Sequence, residues 1–161
     1  MNMNKERFLA ENQVLASKVP SSAYRFIGIG TSSPYLRIAA RTNNGHIYTL
    51  HFDLRGFPES SPKVFVTKML KDRSCNDMSG ASGSMHTLCS EHGWTRICHY
   101  GQTAWTPYVS LFKVYVKCCL WLNMYEQHLL TGMPIEFYLT HQLYGTQVSH
   151  LRNTTLLHCL Q

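Results

Sequence analysis

The 161-residue chain lacks any apolar run long enough to span a bilayer. Its opening residues, Met1-Asn2-Met3-Asn4-Lys5-Glu6-Arg7, carry no signal-peptide core. There is no internal repeat and no block of like charge. A pair of Cys-x-x-Cys knuckles, the strong spacing signal for structural zinc, is also missing. Those gaps set aside a membrane partner and point to one domain in a reducing cytoplasm. The six cysteines are then expected as free thiols. A 44% hydrophobic content suffices for a packed core. The net charge of +6 suits attraction to an acidic partner. Lysine and arginine are scattered, so an acidic protein surface is expected rather than nucleic acid.

What is present reads as an α+β chain. Lys5 to Lys18 has helical spacing through Phe8, Leu9, Asn12 and Leu15 or Ala16, and Pro20 stops it. Four strand-like runs follow: Tyr24 to Ile29, Tyr35 to Ala40, His46 to Asp53 and Lys63 to Thr67. Asn43-Asn44-Gly45 is a hairpin signal, because Asn and Gly tolerate positive φ. Short connections favour a four-stranded antiparallel meander. Between Lys68 and Gly93 the pattern disappears, and Asp77 to Ser84 reads as a mobile loop of small residues. Thr106 and Pro107 are suited to start a long helix, with Tyr108, Phe112, Tyr115, Cys119, Leu122 and Leu129 on one face. Gly132 caps its end, Pro134 follows, and Ile135 to His141 reads as a further short helix. Leu143 to Gln161 has no clear period. The expected division is a domain over residues 1–142 and a tail over 143–161.

Chemistry concentrates at Arg96-Ile97-Cys98-His99-Tyr100, followed by Trp105-Thr106-Pro107. A cysteine on an irregular segment, braced by a Trp-x-Pro corner, is what a thioester-forming nucleophile needs: a reachable thiol on a loop that does not wander. Cys118 and Cys119 lie inside the helix and suit a buried role. Cys89, near His86, is the rival nucleophile. His99 could lower the thiol pKa or shuttle a proton, or be a plain exposed histidine. Cys75, His86, Cys89, His92, Cys98 and His99 also form a cysteine-histidine-rich stretch. His86-x-x-Cys89-x-x-His92 has plausible ligand spacing, although the whole is irregular for zinc.

The order helix, four-strand meander, cysteine segment, Trp-x-Pro, helix resembles the ubiquitin-conjugating-enzyme fold. Phe57-Pro58-Glu59-Ser60-Ser61-Pro62-Lys63-Val64 is similar to that family's Tyr-Pro-Phe-x-Pro-Pro-x-Val, with Ser61 replacing one proline. Gly93 to Cys98 resembles Gly-x-Ile-Cys with one extra residue. Trp105-Thr106-Pro107 resembles Trp-Ser-Pro at nearly the family spacing. Trp121-Leu122 through Tyr125-Glu126, with Thr131-Gly132, resembles the bacterial branch. The family's His-Pro-Asn is replaced by His86-Thr87-Leu88, so the histidine persists and the oxyanion asparagine does not.

The resemblance implies a transferase with no cofactor and no metal. Its partners would be an activating enzyme, a ubiquitin-like modifier protein and an acceptor protein with a lysine, as in bacterial antiviral defence systems. Cys98 is the implied nucleophile. It is preferred over Cys89, whose spacing to Trp105 is too long for the family pattern. His86, His99 and backbone amides are candidates to stabilise the oxyanion. Lys5 and Arg7 are candidates to dock the activating enzyme. The alternatives are an inactive binding module of the same fold and a small zinc-stabilised interaction domain.

Overall fold

A computed structural model describes residues 3–142. The expected tail over 143–161 lies outside the described residues. The chain is α+β. Helix α1 spans Lys5–Ala16, and Asn4 caps it by accepting from the Arg7 amide at 2.8 Å. Strands β1 (Tyr24–Ile27), β2 (Tyr35–Arg41), β3 (Ile47–Asp53) and β4 (Lys63–Val66) pair antiparallel in sequence order. The sheet then continues, because β5 (Thr87–Glu91) and β6 (Trp94–Ile97) form a hairpin whose second strand pairs with β4. The six-stranded order is β1-β2-β3-β4-β6-β5.

This hairpin corrects the expectation of irregular chain from Lys68 to Gly93 and of an irregular approach to Cys98. Its turn is His92-Gly93, with φ of +58° and +72°. Two consecutive positive φ values suit a two-residue connection whose twist matches the strands. The sequence signal was the β-prone stretch on either side of His-Gly.

Asp77 to Ser84 is likewise tied down. Met78 is buried and its amide donates to the Leu70 carbonyl. Ser82 and Thr87 exchange both backbone hydrogen bonds at 3.1 Å.

Helix α2 spans Leu111–Thr131. It starts later than Thr106-Pro107 predicts, and Ser110 is its cap. Arg7 explains the delay: its guanidinium donates to the carbonyls of Pro107 at 2.6 Å and Val109 at 2.8 Å. Glu11 then accepts from the Leu111 amide at 2.8 Å. Those anchors hold residues 107–109 off the helix and leave Tyr108 92% exposed, so it is not a core residue. They also commit the Arg7 guanidinium to joining α1 to the start of α2. Gly132 closes α2 at φ +79°, its amide donating to the His128 carbonyl. A short helix α3 follows over Ile135–Gln142.

Burial alternates along β2, β3 and β6. Leu36, Ile38, Leu50, Phe52, Val64 and Ile97 face inward and share one core with Val114, Tyr115, Cys118 and Leu122 of α2. Phe112 and Leu129 of the predicted α2 face lie at the margin. Among the described residues no helix is long and apolar enough to cross a membrane.

Candidate active site

Cys98 follows the last residue of β6. That strand is interior to the sheet, flanked by β4 and β5. Ile97 is buried and aligned with Val64 on one side and Thr87 on the other. The Cys98 amide extends this ladder by donating to the His86 carbonyl at 2.9 Å. The cysteine backbone is thus fixed by a strand end, while Cys98 itself stays partly exposed. A held but reachable thiol is what acyl transfer asks of a nucleophile.

Beyond Cys98 the chain is braced by two side chains that donate to proline carbonyls in the β3–β4 connection. His99 Nε2 reaches the Pro62 carbonyl and Trp105 Nε1 the Pro58 carbonyl, each at 2.9 Å. Trp105 also packs edge-on to Tyr100 and Phe57, with ring centroids 5.4 and 6.1 Å away. Arg7 lies over the Phe57 ring, so α1 joins the same brace. Phe57-Pro58 is a cis peptide. Phe57 to Pro62 therefore supplies the wall against which the cysteine segment rests.

His99 is a neutral residue here. Burial drives its pKa down to about 4, outweighing the hydrogen bond to Pro62, and Lys117 and Arg96 add to the fall. Its Nδ1 is buried without a hydrogen-bond partner. With the proton on Nε2, the ring is an uncharged brace. A neutral ring places no positive charge beside Cys98.

His86 is placed differently. Its backbone is left-handed at φ +49°, a conformation rarely adopted by residues other than glycine. Its carbonyl serves Cys98, while its Nε2 bonds a Glu136 carboxylate oxygen on α3. The Glu136 amide in turn donates to the Ser84 carbonyl at 2.9 Å, and Trp121 Nε1 donates to the Met85 carbonyl at 3.1 Å. Helices α2 and α3 thereby hold the turn that carries His86. The pairing with His86 keeps the Glu136 carboxyl below its ordinary pKa.

No family model, curated protein or solved structure matches the chain.

Of the residues singled out in sequence, the structure brings Cys98, His86 and His99 to one end of β6, two of them through backbone contacts or bracing. Cys89 sits exposed on β5, where the pairing register shifts between Leu88 and Glu91. Cys75 is exposed, and Cys118 and Cys119 are buried in α2. Among the described residues no group of three His, Cys, Asp or Glu side chains is arranged to hold a metal ion.

Sequence reasoning missed Glu136 and Lys117. Lys117 Nζ lies 3.5 Å from the Tyr100 ring centroid and 3.4 Å from the His99 carbonyl. This brings a cation to the cysteine segment, with its pKa lowered by burial and by Lys113. Helical spacing marks Lys117 only as off the apolar face, and nothing local ties Glu136 to a histidine 50 residues earlier.

Proposed function

We propose that this protein is a ubiquitin-conjugating-enzyme-like transferase with Cys98 as its nucleophile. The observation that carries the reading is the placement of Cys98: amide-bonded to His86, partly exposed, and followed by a segment braced on Phe57 to Pro62. Of the motifs that resemble the family, those at 57–64 and 105–107 brace the segment that follows the cysteine ending the third, 93–98.

An activating enzyme presents a ubiquitin-like modifier as a thioester. Cys98 thiolate attacks the carbonyl, a tetrahedral oxyanion forms, and the activating enzyme's thiolate leaves. An acceptor lysine amine then attacks the Cys98 thioester, releases the thiolate and gives up its proton to solvent. Both steps exchange one acyl bond for another, so positioning dominates what the protein must supply. A cysteine thiol is a few per cent ionised at neutral pH and intrinsically nucleophilic, so the first step needs no dedicated base. Lys117 adds a cation to the cysteine segment, and backbone amides are the candidates for the oxyanion.

The second reading is an inactive binding module of this fold. It is favoured by the engagement of both neighbouring histidines, His86 with Glu136 and His99 with Pro62. Capture of the tagged protein from its native host, with and without reductant, separates the two. A reductant-sensitive adduct mapped to Cys98 supports transfer. Stable non-covalent capture with no adduct supports the module.

A further inference from the structure

The outer face of the sheet carries a second side-chain cluster that the core does not include. Cross-strand pairing sets Arg25, Arg37, His51, Phe65 and Arg96 in one row, from β1 through β6. Residues directly opposite one another share a face, so these five project to the same side. Tyr35 and Trp94 flank the row, two residues along from Arg37 and Arg96. Phe65 is only 2% exposed, yet it stands outside the core cluster. It is covered by its own row.

Rings and guanidinium groups interleave there. Arg37 lies 5.3 Å from the Trp94 ring centroid and 5.7 Å from that of Tyr35. The His51 ring is 4.7 Å from Tyr35 and 5.3 Å from Trp94. Arg37 Nε donates to His51 Nδ1 at 3.2 Å, which fixes the imidazole orientation. Arg96 sits over Phe65 at 6.0 Å. Two carboxylates share the face and both are engaged: Asp53 with Arg55, and Glu91 with Lys63 and Arg96. Among the described residues Arg25 and Arg37 have no carboxylate in salt-bridge range. The face therefore presents excess positive charge beside aromatic planes.

We propose that this face binds single-stranded nucleic acid, with bases stacking on Tyr35 and Trp94 and phosphates held by Arg25 and Arg37. A sheet face of aromatics and arginines is chemistry suited to unpaired bases: each base has a π-face for a ring, and each phosphate a charge for a guanidinium. An acidic protein surface would use the charges but not the ring planes. The row from Arg37 to Arg96 covers three strand spacings, about 14 Å, room for a few nucleotides rather than a duplex groove. The arginines are scattered along the chain, which argues against a nucleic-acid partner in sequence. The register gathers them. Residues 143–161 contain no Asp or Glu and offer no charge complement of their own.

The inference does not depend on Cys98. Its test is fluorescence anisotropy with labelled oligo(U) and oligo(dT) of about 12 nucleotides, titrated with the full chain at about 50 and about 200 mM KCl. Binding should weaken with salt. Arg25→Gln with Arg37→Gln should reduce affinity about tenfold or more and lower the salt slope by about 1.4, the loss of two single-strand phosphate contacts. Tyr35→Leu should weaken binding about tenfold, as loss of one stacking plane. Lys18→Gln, just past the end of α1 and outside the row, should change neither. Thermal melts check that each variant is folded, and the arginine pair carries the test if a ring variant is not. Absence of binding up to about 100 µM at the lower salt would overturn the proposal. So would equal affinity for a duplex of the same length. Competition by poly-glutamate as effective as oligo(U) would reassign the face to an acidic protein.

Discussion

The amide of Cys98 donates to the carbonyl of His86 at 2.9 Å, so the thiol-bearing residue is held by the backbone of a histidine whose side chain is committed to Glu136. Position and reactivity are thereby supplied by different groups. Under the proposed transfer, the strand end sets where the sulfur sits, and the intrinsic nucleophilicity of a thiolate would do the chemistry. Cys98→Ala should abolish a reductant-sensitive adduct and leave the fold intact, because the backbone bond survives the substitution. Cys98→Ser should trap a reductant-resistant oxyester. Cys89→Ala should spare the adduct. Mass spectrometry of the captured protein reads all three, and the reverse pattern for the two alanine variants would move the nucleophile to β5.

His99 makes a pH prediction of definite sign. Its folded pKa of about 4 lies below the ordinary histidine value of 6.5. The unfolded chain therefore binds more protons between those values, and stability rises with pH across the window. The contribution is complete above about pH 6.5 and is lost as pH falls toward 4, up to roughly 3 kcal/mol. His51, its pKa lowered first by burial and then by Arg37, pushes in the same direction. Urea melts of wild type and His99→Gln from pH 7.5 to 4 should converge on acidification. Long-range nitrogen–proton NMR should show His99 protonated at Nε2 alone above pH 5. A His99 titration near 6.5 would remove the buried-brace assignment.

How far the sequence revealed this arrangement depended on whether the controlling contact was local. The β2–β3 hairpin was legible because Asn43-Asn44-Gly45 states its own turn, and Gly45 takes φ +86°. Gly132 was legible as a cap for the same reason. The start of α2 was not, since Thr106-Pro107 is a sound local start that Arg7 overrides from 100 residues away. The β5–β6 hairpin was missed because its turn is His92-Gly93, a weaker hairpin signal than Asn-Gly or Asp-Gly. Cys98 and His99 could be named from the segment they share, and His86 from the family resemblance. Their division into anchor and neutral brace required Pro62, Glu136 and the burial of the imidazole.

Trp105 should behave as a brace of moderate size. It is only partly buried, so Trp105→Ala should cost about 2–3 kcal/mol, toward the low side of large aromatic deletions. Trp105→Phe keeps a ring against Phe57 and Tyr100 but loses the bond to Pro58, and should cost about 1 kcal/mol. Both variants should slow adduct formation more than they lower the melting temperature would suggest, because they free the Cys98 segment. Unchanged melting and normal adduct would detach Trp105 from the site.

Glu126 is the structural counterpart on the other side of α2. Its buried carboxylate accepts from Thr42 Oγ1 at 2.9 Å, Asn44 Nδ2 at 2.7 Å and Tyr48 OH at 3.0 Å, and pairs with His46 Nδ1 at 3.0 Å. These contacts fasten the β2–β3 hairpin to α2, and burial, followed by the charge of Glu126 and its hydrogen bond, raises the Tyr48 pKa well above its ordinary value. Glu126→Ala leaves the Tyr48 hydroxyl buried without its acceptor and Thr42 Oγ1 with only the 3.4 Å bond to the His46 carbonyl, and should destabilise by about 3 kcal/mol. Guanidinium melts measure it. Adduct formation by the fraction still folded should be unchanged, since the clamp is remote from Cys98.

Ser79 to Ser84 should resist protease despite its glycines and serines. The Ser90 amide donates to the Ser79 carbonyl at 2.8 Å, and Thr87 Oγ1 donates to that of Gly80 at 2.9 Å. Ser82 pairs with Thr87 through both backbone groups, and Ser84 receives the amide of Glu136. The strip thus satisfies β5, the last strand in the sheet order, at the residue next to His86. Composition predicts a loop that can be removed without cost, but these bonds predict otherwise. Deleting Ser79 to Ser84 strips partners from buried Thr87 and should cost about 2–4 kcal/mol, by the penalty for unpaired buried polar groups. Because Thr87 and His86 are adjacent, the Cys98 anchor should loosen with it, and single-turnover discharge of any Cys98 adduct to water should accelerate. Limited proteolysis under native conditions gives the complementary reading: cleavage inside the strip should occur only at the rate of opening of β5. Rapid native-state cutting between Ser79 and Ser84, with stability unaffected by the deletion, would return the segment to the status of a flexible connector.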